Sequence, residues 1–280
     1  MSNRQVFCTV CNEAQSKFIL YSDAPILACE ACSHVFTDTF SLVEEDYGPE
    51  YYEKTHKKWF DNPDTKFFGK LFKLFPKETR SVLDVGCGNG NFLRYLEKKS
   101  VAIDRLVGID LRHNNSTNRI QYINGELKEM VGNEQFDVVI SLAVIEHVAD
   151  PIEFALGLSK KCKPGGHIIV MTVASDSLIY AIARAAYKVG LVTPAKRLYS
   201  AHHLQHFTKK SLQTTLETSG LTITKKFLHT PPLKAVDVPM GGWIKQKIFY
   251  IGLITCYFFQ AFLGKQYLQT QIYTKSKLEN

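Results

Sequence analysis

Residues 82–92 read VLDVGCGNGNF, and this stretch decides the predicted fold. Its apolar start predicts a β-strand that ends near Asp84. Gly86, Gly88 and Gly90 follow at two-residue spacing, and a helix is predicted directly after them. Glycine permits positive φ and lets the backbone come close to a ligand, while the start of a helix offers unpaired N–H groups to an anionic group. The stretch therefore predicts a ligand-binding turn between a strand and a helix.

An acidic residue further along the chain narrows the class of ligand. A dinucleotide loop has the pattern G-x-G-x-x-G, whereas here the third glycine comes one residue early, which weakens a pyrophosphate interpretation. Asp110 follows at the end of the next predicted strand, where a carboxylate can accept both hydroxyl groups of a ribose. The pattern indicates a nucleoside site without a pyrophosphate cradle. The alternative is a glycine turn that only lets the helix pack on the strand.

Short apolar runs on either side of this loop predict the rest of the sheet. Helix-compatible stretches lie between several of them, notably 91–99 and 151–161. Alternation of strands and helices, with nearly continuous apolar strands, favours a parallel sheet covered on both faces. The predicted fold class is therefore α/β with a doubly wound, mostly parallel sheet. The predicted strands are 82–85, 106–110, 120–124, 136–142 and 167–173.

Taken in order, these motifs resemble those of class I S-adenosylmethionine (SAM)-dependent methyltransferases. Besides the loop and Asp110, the chain has Gly125-Glu126 after the third strand, FDVVISLAVIEHVADP at 136–151 and KPGG at 163–166. The match runs from about 80 to 175, and more loosely to 275. The resemblance implies a Rossmann-like sheet of seven strands, with an antiparallel last strand near 266–274, and SAM as the cofactor.

The resemblance also implies a set of cofactor-binding residues. The glycine loop would border the methionine part of SAM, Asp110 would hold the ribose diol, and Leu111 would pack on the adenine. Glu126 would lie beside the adenine amino group, with Leu127 adjacent. The full predicted set is Asp84, Gly86, Cys87, Gly88, Gly90, Asp110, Leu111, Glu126, Leu127 and Leu142.

Three histidines are the candidates for acid–base chemistry. His147 follows the fourth predicted strand and could act as a general base, because imidazole titrates near neutral pH; the alternative is that it only orders the loop. His203 and His206 lie in AHHLQHFT at 201–208 and are predicted on the substrate side, by similarity to family members. A metal site among the three histidines of this stretch, His202, His203 and His206, is less favoured, because no acidic residue accompanies them there.

Four cysteines near the N-terminus form the pattern C-x2-C-x17-C-x2-C, at Cys8, Cys11, Cys29 and Cys32. This spacing predicts a zinc ribbon in which each pair chelates one face of a tetrahedral ion. So small a segment needs the metal to fold. Zinc knuckles usually have glycine after the second cysteine of a pair, whereas here the residues are Asn12 and Ser33. The alternatives are redox dithiols or a ribbon without metal.

The chain divides into a ribbon-like segment at 1–40, a helical, aromatic linker arm at 41–80 and a methyltransferase domain at 81–280. The arm includes Tyr47, Tyr51 and Tyr52, which could close over the cofactor or simply pack. Residues 176–280 contain 14 Lys and Arg against four Asp and Glu. This basic part predicts either a solvated face or contact with an anionic partner.

The apolar run at 248–263 is too short to span a bilayer comfortably. It is predicted to pack over the sheet, or else to lie in a membrane interface with basic neighbours on lipid headgroups. The start of the sequence lacks the pattern of a secretory signal. Seven cysteines in such a chain favour a reducing compartment. We expect a cytoplasmic protein, with a peripheral position at the inner membrane face left open.

The composition, 45% hydrophobic and 22% charged, excludes a wholly disordered chain. The resemblance implies methyl transfer to a small-molecule or carrier- or lipid-linked acceptor, with a sugar or polysaccharide intermediate as first choice. A rival is a quinone-type O-methyltransferase at the membrane surface. A rival of another class is a non-catalytic SAM-binding module that docks RNA or a protein partner. Nucleic acid is not expected as a partner, because the basic residues are not interleaved with an aromatic stacking platform.

Overall fold

The computed structural model describes residues 5–41, 57–236 and 242–276. The predicted role of Tyr47, Tyr51 and Tyr52 falls outside these residues. The elements in chain order are β1 (Ser16–Tyr21), β2 (Pro25–Cys29), β3 (Val35–Thr37), α1 (Lys57–Asp61), α2 (Thr65–Phe72), β4 (Ser81–Val85), α3 (Asn91–Lys99), β5 (Arg105–Asp110), β6 (Ile120–Asn124), β7 (Phe136–Leu142), α4 (Pro151–Lys161), β8 (Cys162–Val173), α5 (Leu178–Lys188), α6 (Thr193–Leu198), β9 (Gln205–His206), α7 (Lys209–Thr218), β10 (Leu221–His229), α8 (Trp243–Phe262) and β11 (Leu268–Lys275).

Seven strands form one sheet in the order β10-β11-β8-β7-β4-β5-β6. The five strands from β8 to β6 run parallel, and β11 is antiparallel to both of its neighbours. This confirms the predicted doubly wound sheet. The chain leaves β4 toward β5 and β6 on one side and returns to β7 and β8 on the other. Ligands of such sheets bind outside the carboxyl ends of the strands where the order reverses, which here is the end of β4.

Both faces of the sheet are covered, as the continuous apolar strands predict. All five residues of β4 are buried. Leu83 and Val85 belong to one apolar core, while Val82 belongs to a second core on the opposite face. Because successive side chains of a strand point to opposite faces, a strand buried on both faces needs apolar residues at adjacent positions.

The KPGG motif lies inside a strand and not in a turn. Residues 163–166 lie inside β8, and the pairing with β7 jumps from Phe136 opposite Cys162 to Val138 opposite His167. The additional residues form a bulge, in which Gly165 adopts φ 77°. A bulge lets a strand change direction without ending, so the motif bends β8 rather than preceding it.

The cysteine-containing segment forms a second sheet with the order β1-β2-β3-β9. Its fourth strand, β9, comes from much later in the chain, with Val35 opposite His206 and Phe36 opposite Gln205. The sequence did not indicate this strand. The ribbon segment and the core therefore share a sheet, and the boundary near residue 40 is crossed by strand pairing.

The apolar run near the C-terminus is one helix, α8, which starts earlier than the run itself. Of its 20 residues only Leu253 and Gln260 are buried. Among the residues that the structure describes, no helix is long and apolar enough to cross a membrane.

Candidate active site

The glycine loop leaves the carboxyl end of β4 and requires glycine at its first and last positions. Gly86 and Gly90 both have φ 70°, a left-handed conformation that side chains rarely adopt. A Cβ atom at Gly86 would collide with the Val144 side chain, and one at Gly90 would collide with the Tyr122 hydroxyl group. Gly90 also caps α3. The loop is thus packed closely against its neighbours, and the N–H groups of Gly86 and Cys87 donate to the Ile109 carbonyl.

Asp110, the last residue of β5, is hydrogen-bonded to the glycine loop. Its Oδ2 accepts a hydrogen bond from the Gly88 N–H at 2.7 Å, and its Oδ1 accepts one from the Arg112 N–H at 2.8 Å. The carboxylate is therefore oriented before any ligand arrives. A carboxylate has about four acceptor positions, so its oxygens can also accept from ribose hydroxyl groups.

Asp84 lies behind the loop and is 2% exposed. Burial, together with the charge of Asp110, raises the pKa of Asp84 to about 8. Burial and the same two carboxylates raise the pKa of the Cys87 thiol. The thiol therefore stays protonated and unreactive near neutral pH.

A cavity of about 2300 Å³ opens in front of the loop. This volume exceeds the roughly 300–1000 Å³ of an ordinary small-molecule site, so it has room for a cofactor and an acceptor together. Seven of the ten predicted cofactor residues line it, namely Gly86, Gly88, Asp110, Leu111, Glu126, Leu127 and Leu142. Asp84 and Cys87 border a smaller adjoining cavity, and Gly90 borders neither.

Two of the three predicted histidines line the same cavity. The rings of His147 and His203 meet edge to face with their centres 4.9 Å apart. His147 Nδ1 lies 2.7 Å from the carbonyl oxygen of His202. A carbonyl can only accept, so Nδ1 is the donor, and Nε2 is the nitrogen of the neutral ring that can take up a proton.

His206 does not lie where it was predicted. It is completely buried and does not line the cavity, and its Nε2 is 3.2 Å from the Thr37 hydroxyl. Burial keeps its pKa well below the usual range, so the ring stays neutral. The reason is β9, whose pairing with β3 places His206 against Thr37, Tyr180 and Tyr199. Of His203 and His206, only His203 lines the cavity.

Glu146 is a site residue that sequence reasoning passed over. It is 1% exposed, accepts a 2.7 Å hydrogen bond from the Thr172 hydroxyl, and lines the cavity. Burial raises its pKa to about 7, against the lowering effect of that hydrogen bond. Ligand atoms of Glu146, His147 and His203 lie within 4.8 Å of one another, so this set could hold a metal ion. The Glu-His pair was visible in the sequence, but its proximity to His203 was not.

Two aromatic residues of α1 were also missed as site residues. Trp59 and Phe60 line the cavity, and a Cβ at Gly88 would come within 2.8 Å of the Phe60 ring. The Asn91 side chain donates to the Phe60 carbonyl at 2.9 Å. The start of α3 thus holds α1 over the glycine loop, which an aromatic-rich linker alone did not reveal.

The four N-terminal cysteines converge as predicted. Their Sγ atoms all lie within 4.8 Å of one another, with Cys8 to Cys32 at 3.6 Å and Cys11 to Cys29 at 3.5 Å. These distances exceed a disulfide bond and approach the roughly 3.8 Å between sulfurs of a tetrahedral site with Zn–S bonds of about 2.3 Å. Burial raises the pKa of the Cys8 thiol to about 11, so a bound cation is what would make it a thiolate.

The backbone after each cysteine pair supports the same arrangement. Asn12 has φ 58° and Ser33 has φ 61°. Both therefore adopt the left-handed conformation that glycine usually supplies in a zinc knuckle. The cluster's donor set and geometry fit zinc.

The sequence profile of a family described as a methyltransferase domain matches residues 51–226. The chain belongs to this family. The chain also resembles solved structures of SAM-dependent methyltransferases. That from Archaeoglobus fulgidus has a TM-score of 0.54 at 17% identity and covers 80% of this chain and 100% of its own. That from Mesorhizobium loti has a TM-score of 0.50 at 15% identity, over 74% and 96%. With the strand order above, these matches show that the chain has the fold of these methyltransferases.

Among curated proteins, the chain is similar to enzymes named for ubiquinone biosynthesis. It is 32% identical over 182 residues to the mitochondrial ubiquinone biosynthesis O-methyltransferase of Dictyostelium discoideum, covering 56% of this chain and 54% of the relative. It is 35% identical over 128 residues to the Rickettsia bellii (strain OSU 85-389) ubiquinone biosynthesis O-methyltransferase, covering 42% and 53%. The chain therefore spans about half the length of these relatives.

Proposed function

We propose that the protein transfers a methyl group from SAM to a hydroxyl oxygen of a small, apolar acceptor of the quinone type. The observation that carries this proposal is the single cavity that joins the glycine loop and Asp110 at one side to His147 and His203 at the other. A cofactor site and an acid–base pair that face one space are what group transfer to a hydroxyl requires.

The proposed cofactor contacts follow from the loop geometry. Asp110 would accept the ribose hydroxyls, Leu111 and Leu127 would enclose the adenine, and Glu126 would bind its amino group. Asp84, with its pKa raised to about 8 by burial and by Asp110, would regain its charge opposite the ammonium group of SAM. Asp84 would then bind the ammonium group of the methionine part of SAM, and the backbone of the glycine loop would bind its carboxylate group.

Bound SAM supplies an electrophilic methyl group for in-line displacement. The residues of this chain have two tasks, which are to align the acceptor and to remove its hydroxyl proton. We propose that His147 Nε2 accepts the hydroxyl proton of the acceptor, because the hydrogen bond to the His202 carbonyl keeps the ring hydrogen on Nδ1. His203, edge to face with that ring, would border the acceptor. Alignment within the cavity supplies much of the acceleration in such reactions.

The acceptor is proposed from the relatives' names and from the character of the cavity wall. The first choice from the sequence, a sugar or polysaccharide intermediate, has no support from these names, whereas the quinone-type alternative has. Much of the wall is apolar or aromatic, with Phe154, Ile179, Leu253 and Tyr257 among its residues. Such a wall suits an aromatic ring with an apolar tail better than a polyhydroxylated sugar.

We also propose that the cysteine cluster holds a structural zinc ion. Four sulfur ligands complete a tetrahedral shell and leave no open position, which is typical of structural sites. The proposed role is therefore to fold the β1–β3 segment rather than to take part in methyl transfer.

Calorimetric titration with SAM and with S-adenosylhomocysteine tests the cofactor site. We expect one ligand per chain, and about tenfold to hundredfold weaker binding in Asp110→Ala, because hydrogen bonds to a charged group contribute about 1.5–3 kcal/mol. Asp104→Ala is the matched control, since Asp104 is an exposed acid just before the same strand. Equal affinity in both variants, with native circular dichroism, would contradict the assignment.

The acceptor is tested separately with methyl-labelled SAM. We expect label in a catechol that carries a short isoprenoid tail, and none in a sugar nucleotide. SAM binding without transfer to either compound would instead favour the non-catalytic binding module.

A further inference from the structure

Helix α8 presents apolar side chains on two opposite sides. One side forms part of the cavity wall through Phe249, Leu253, Cys256 and Tyr257. The other side faces away from the protein. A helix that is apolar all round is normally buried in a core or in a membrane, and α8 is in neither place within the described chain.

The outer side of α8 is a continuous apolar stripe. Its large residues recur at helical spacing, and each is more than half exposed. They are Ile244 (56%), Ile248 (65%), Ile251 (66%), Phe258 (68%) and Phe262 (79%). Isolated exposed apolar residues are common, but a stripe of this length marks an interaction surface.

The neighbouring helix α5 and the turn after it extend the apolar surface. α5 packs against α8. It exposes Ile182 (50%) and is followed by exposed Val189 (75%) and Leu191 (64%). Ile182 also lines the cavity, as Arg197 of α6 does. We call the exposed residues of α8, α5 and this turn the apolar face.

The charges around the apolar face have one sign. The sequence contains no Asp or Glu between residues 177 and 216, or between 242 and 276. The described cations in these ranges include exposed Lys188, Lys196, Arg197, Lys245 and Lys247. An apolar helix face bordered by basic residues matches a membrane interface with anionic headgroups. In a dimer formed through this face, these cations would instead approach their own copies.

We propose that the apolar face docks on a bilayer surface containing anionic phospholipid, with α8 lying in the interface. Because α8 is at once the outer face and the cavity wall, docking places the cavity beside the acyl chains. An acceptor with an isoprenoid tail then enters past α8 and keeps its tail in the bilayer. This last step rests on the proposed function for the nature of the acceptor, whereas the docking does not.

Flotation of the full chain with lipid vesicles tests the docking. We expect the protein to bind phosphatidylcholine vesicles that contain phosphatidylglycerol, and to bind pure phosphatidylcholine vesicles weakly. The variant Ile244→Ser/Ile251→Ser/Phe258→Ser should lose binding. Its control is Phe18→Ser/Phe40→Ser, which removes exposed aromatics elsewhere, at 55% and 77% exposure, and should bind normally. Lys245→Gln/Lys247→Gln should weaken binding by about fivefold for each lysine, and Lys98→Gln/Lys99→Gln should not.

Three results would overturn the docking. They are absence of binding to anionic vesicles, binding that survives the triple substitution, and a stable dimer in sedimentation that the triple substitution dissociates. The last result would assign the face to a second copy of the chain.

Calorimetry separates this test from that of the cofactor site. The triple variant should bind SAM as the parent does, and Asp110→Ala should still float with vesicles. Transfer to a tailed catechol in vesicles should fall in the triple variant, while transfer to a water-soluble catechol should not. Equal loss with both acceptors would contradict the proposed route past α8.

Discussion

Two regions lie outside the methyltransferase core, the cysteine sheet β1–β3 and helix α8, and they are attached in opposite ways. The cysteine sheet is bonded to the core through backbone and buried polar groups. The Thr37 N–H, for example, donates to the Leu204 carbonyl at 2.9 Å. Helix α8 packs with apolar side chains on one side and leaves the other exposed. The cysteine sheet is therefore an integral part of the fold, whereas one side of helix α8 forms an exposed surface.

His34 shows how close the first attachment is. It is completely buried where the cysteine sheet meets α7, with Nδ1 3.2 Å from the Ser211 hydroxyl and Nε2 2.9 Å from the Gln205 side-chain oxygen. Gln205 in turn donates to the carbonyls of Val148 and Ala149. A continuous set of hydrogen bonds therefore runs from His34, two residues after the last cysteine pair, to the loop that follows His147.

The largest effect is expected from the cysteines. Cys29→Ser should remove the zinc and lower the thermal midpoint by at least about 10 °C, because structural zinc stabilises small domains strongly and the core loses its bonded sheet. Cys256→Ser on α8 is the control, and it should keep the zinc and the thermal midpoint of the parent protein. Metal analysis by mass spectrometry and thermal unfolding measure the two effects. The contrast between the cysteine sheet and α8 would be contradicted by two results together. The parent protein would contain no zinc, and Cys29→Ser would have the thermal midpoint of the parent.

A smaller effect is expected where the cysteine sheet meets the core. His34→Ala should lower the free energy of unfolding by about 2 to 3 kcal/mol, through lost buried hydrogen bonds and a cavity. The Gln205 oxygen keeps the Thr9 hydroxyl as a donor, which limits the loss. Urea denaturation measures the change, and exposed His113→Ala should differ little from the parent. If the urea midpoint of His34→Ala equals that of His113→Ala, the cysteine sheet and the core are not energetically coupled.

The smallest effects compare the two sides of α8 directly. Leu253→Ala on the inner side, where the side chain is 9% exposed, should cost about 2 kcal/mol. Ile251→Ala on the outer side, where it is 66% exposed, should cost less than about 0.5 kcal/mol. Urea denaturation of both variants without lipid provides the measurement. Equal destabilisation would show that the outer side is already covered in solution.

The sequence predicted the centre of the molecule well, because local patterns specify it. The glycine loop needs residues without side chains, and the strands around it, such as β4, are buried on both faces and therefore read as unbroken apolar runs. The predicted strands at 82–85, 106–110, 120–124 and 136–142 match observed strands within a residue.

The sequence was less informative where distant residues meet. β9 has two residues, too few to show any periodicity, yet it buries His206 and joins the cysteine segment to the rest of the chain. The proximity of Glu146 to His203 depends on how the 56 residues between them fold. For α8, apolar residues on every side remove the periodic signal that separates a packed helix from an interfacial one.

The pairing of β3 with β9 has a consequence for synthesis of the chain. Val35 leaves the ribosome long before its partner His206. At about 5–20 residues per second, β3 waits roughly 10 to 30 seconds for the strand that completes its sheet. During that interval its edge is an unpaired template on which another nascent chain can add a strand. Binding of the metal to the four cysteines, all of which are made before residue 33, would order the waiting sheet and shorten the time it spends as an open, aggregation-prone edge.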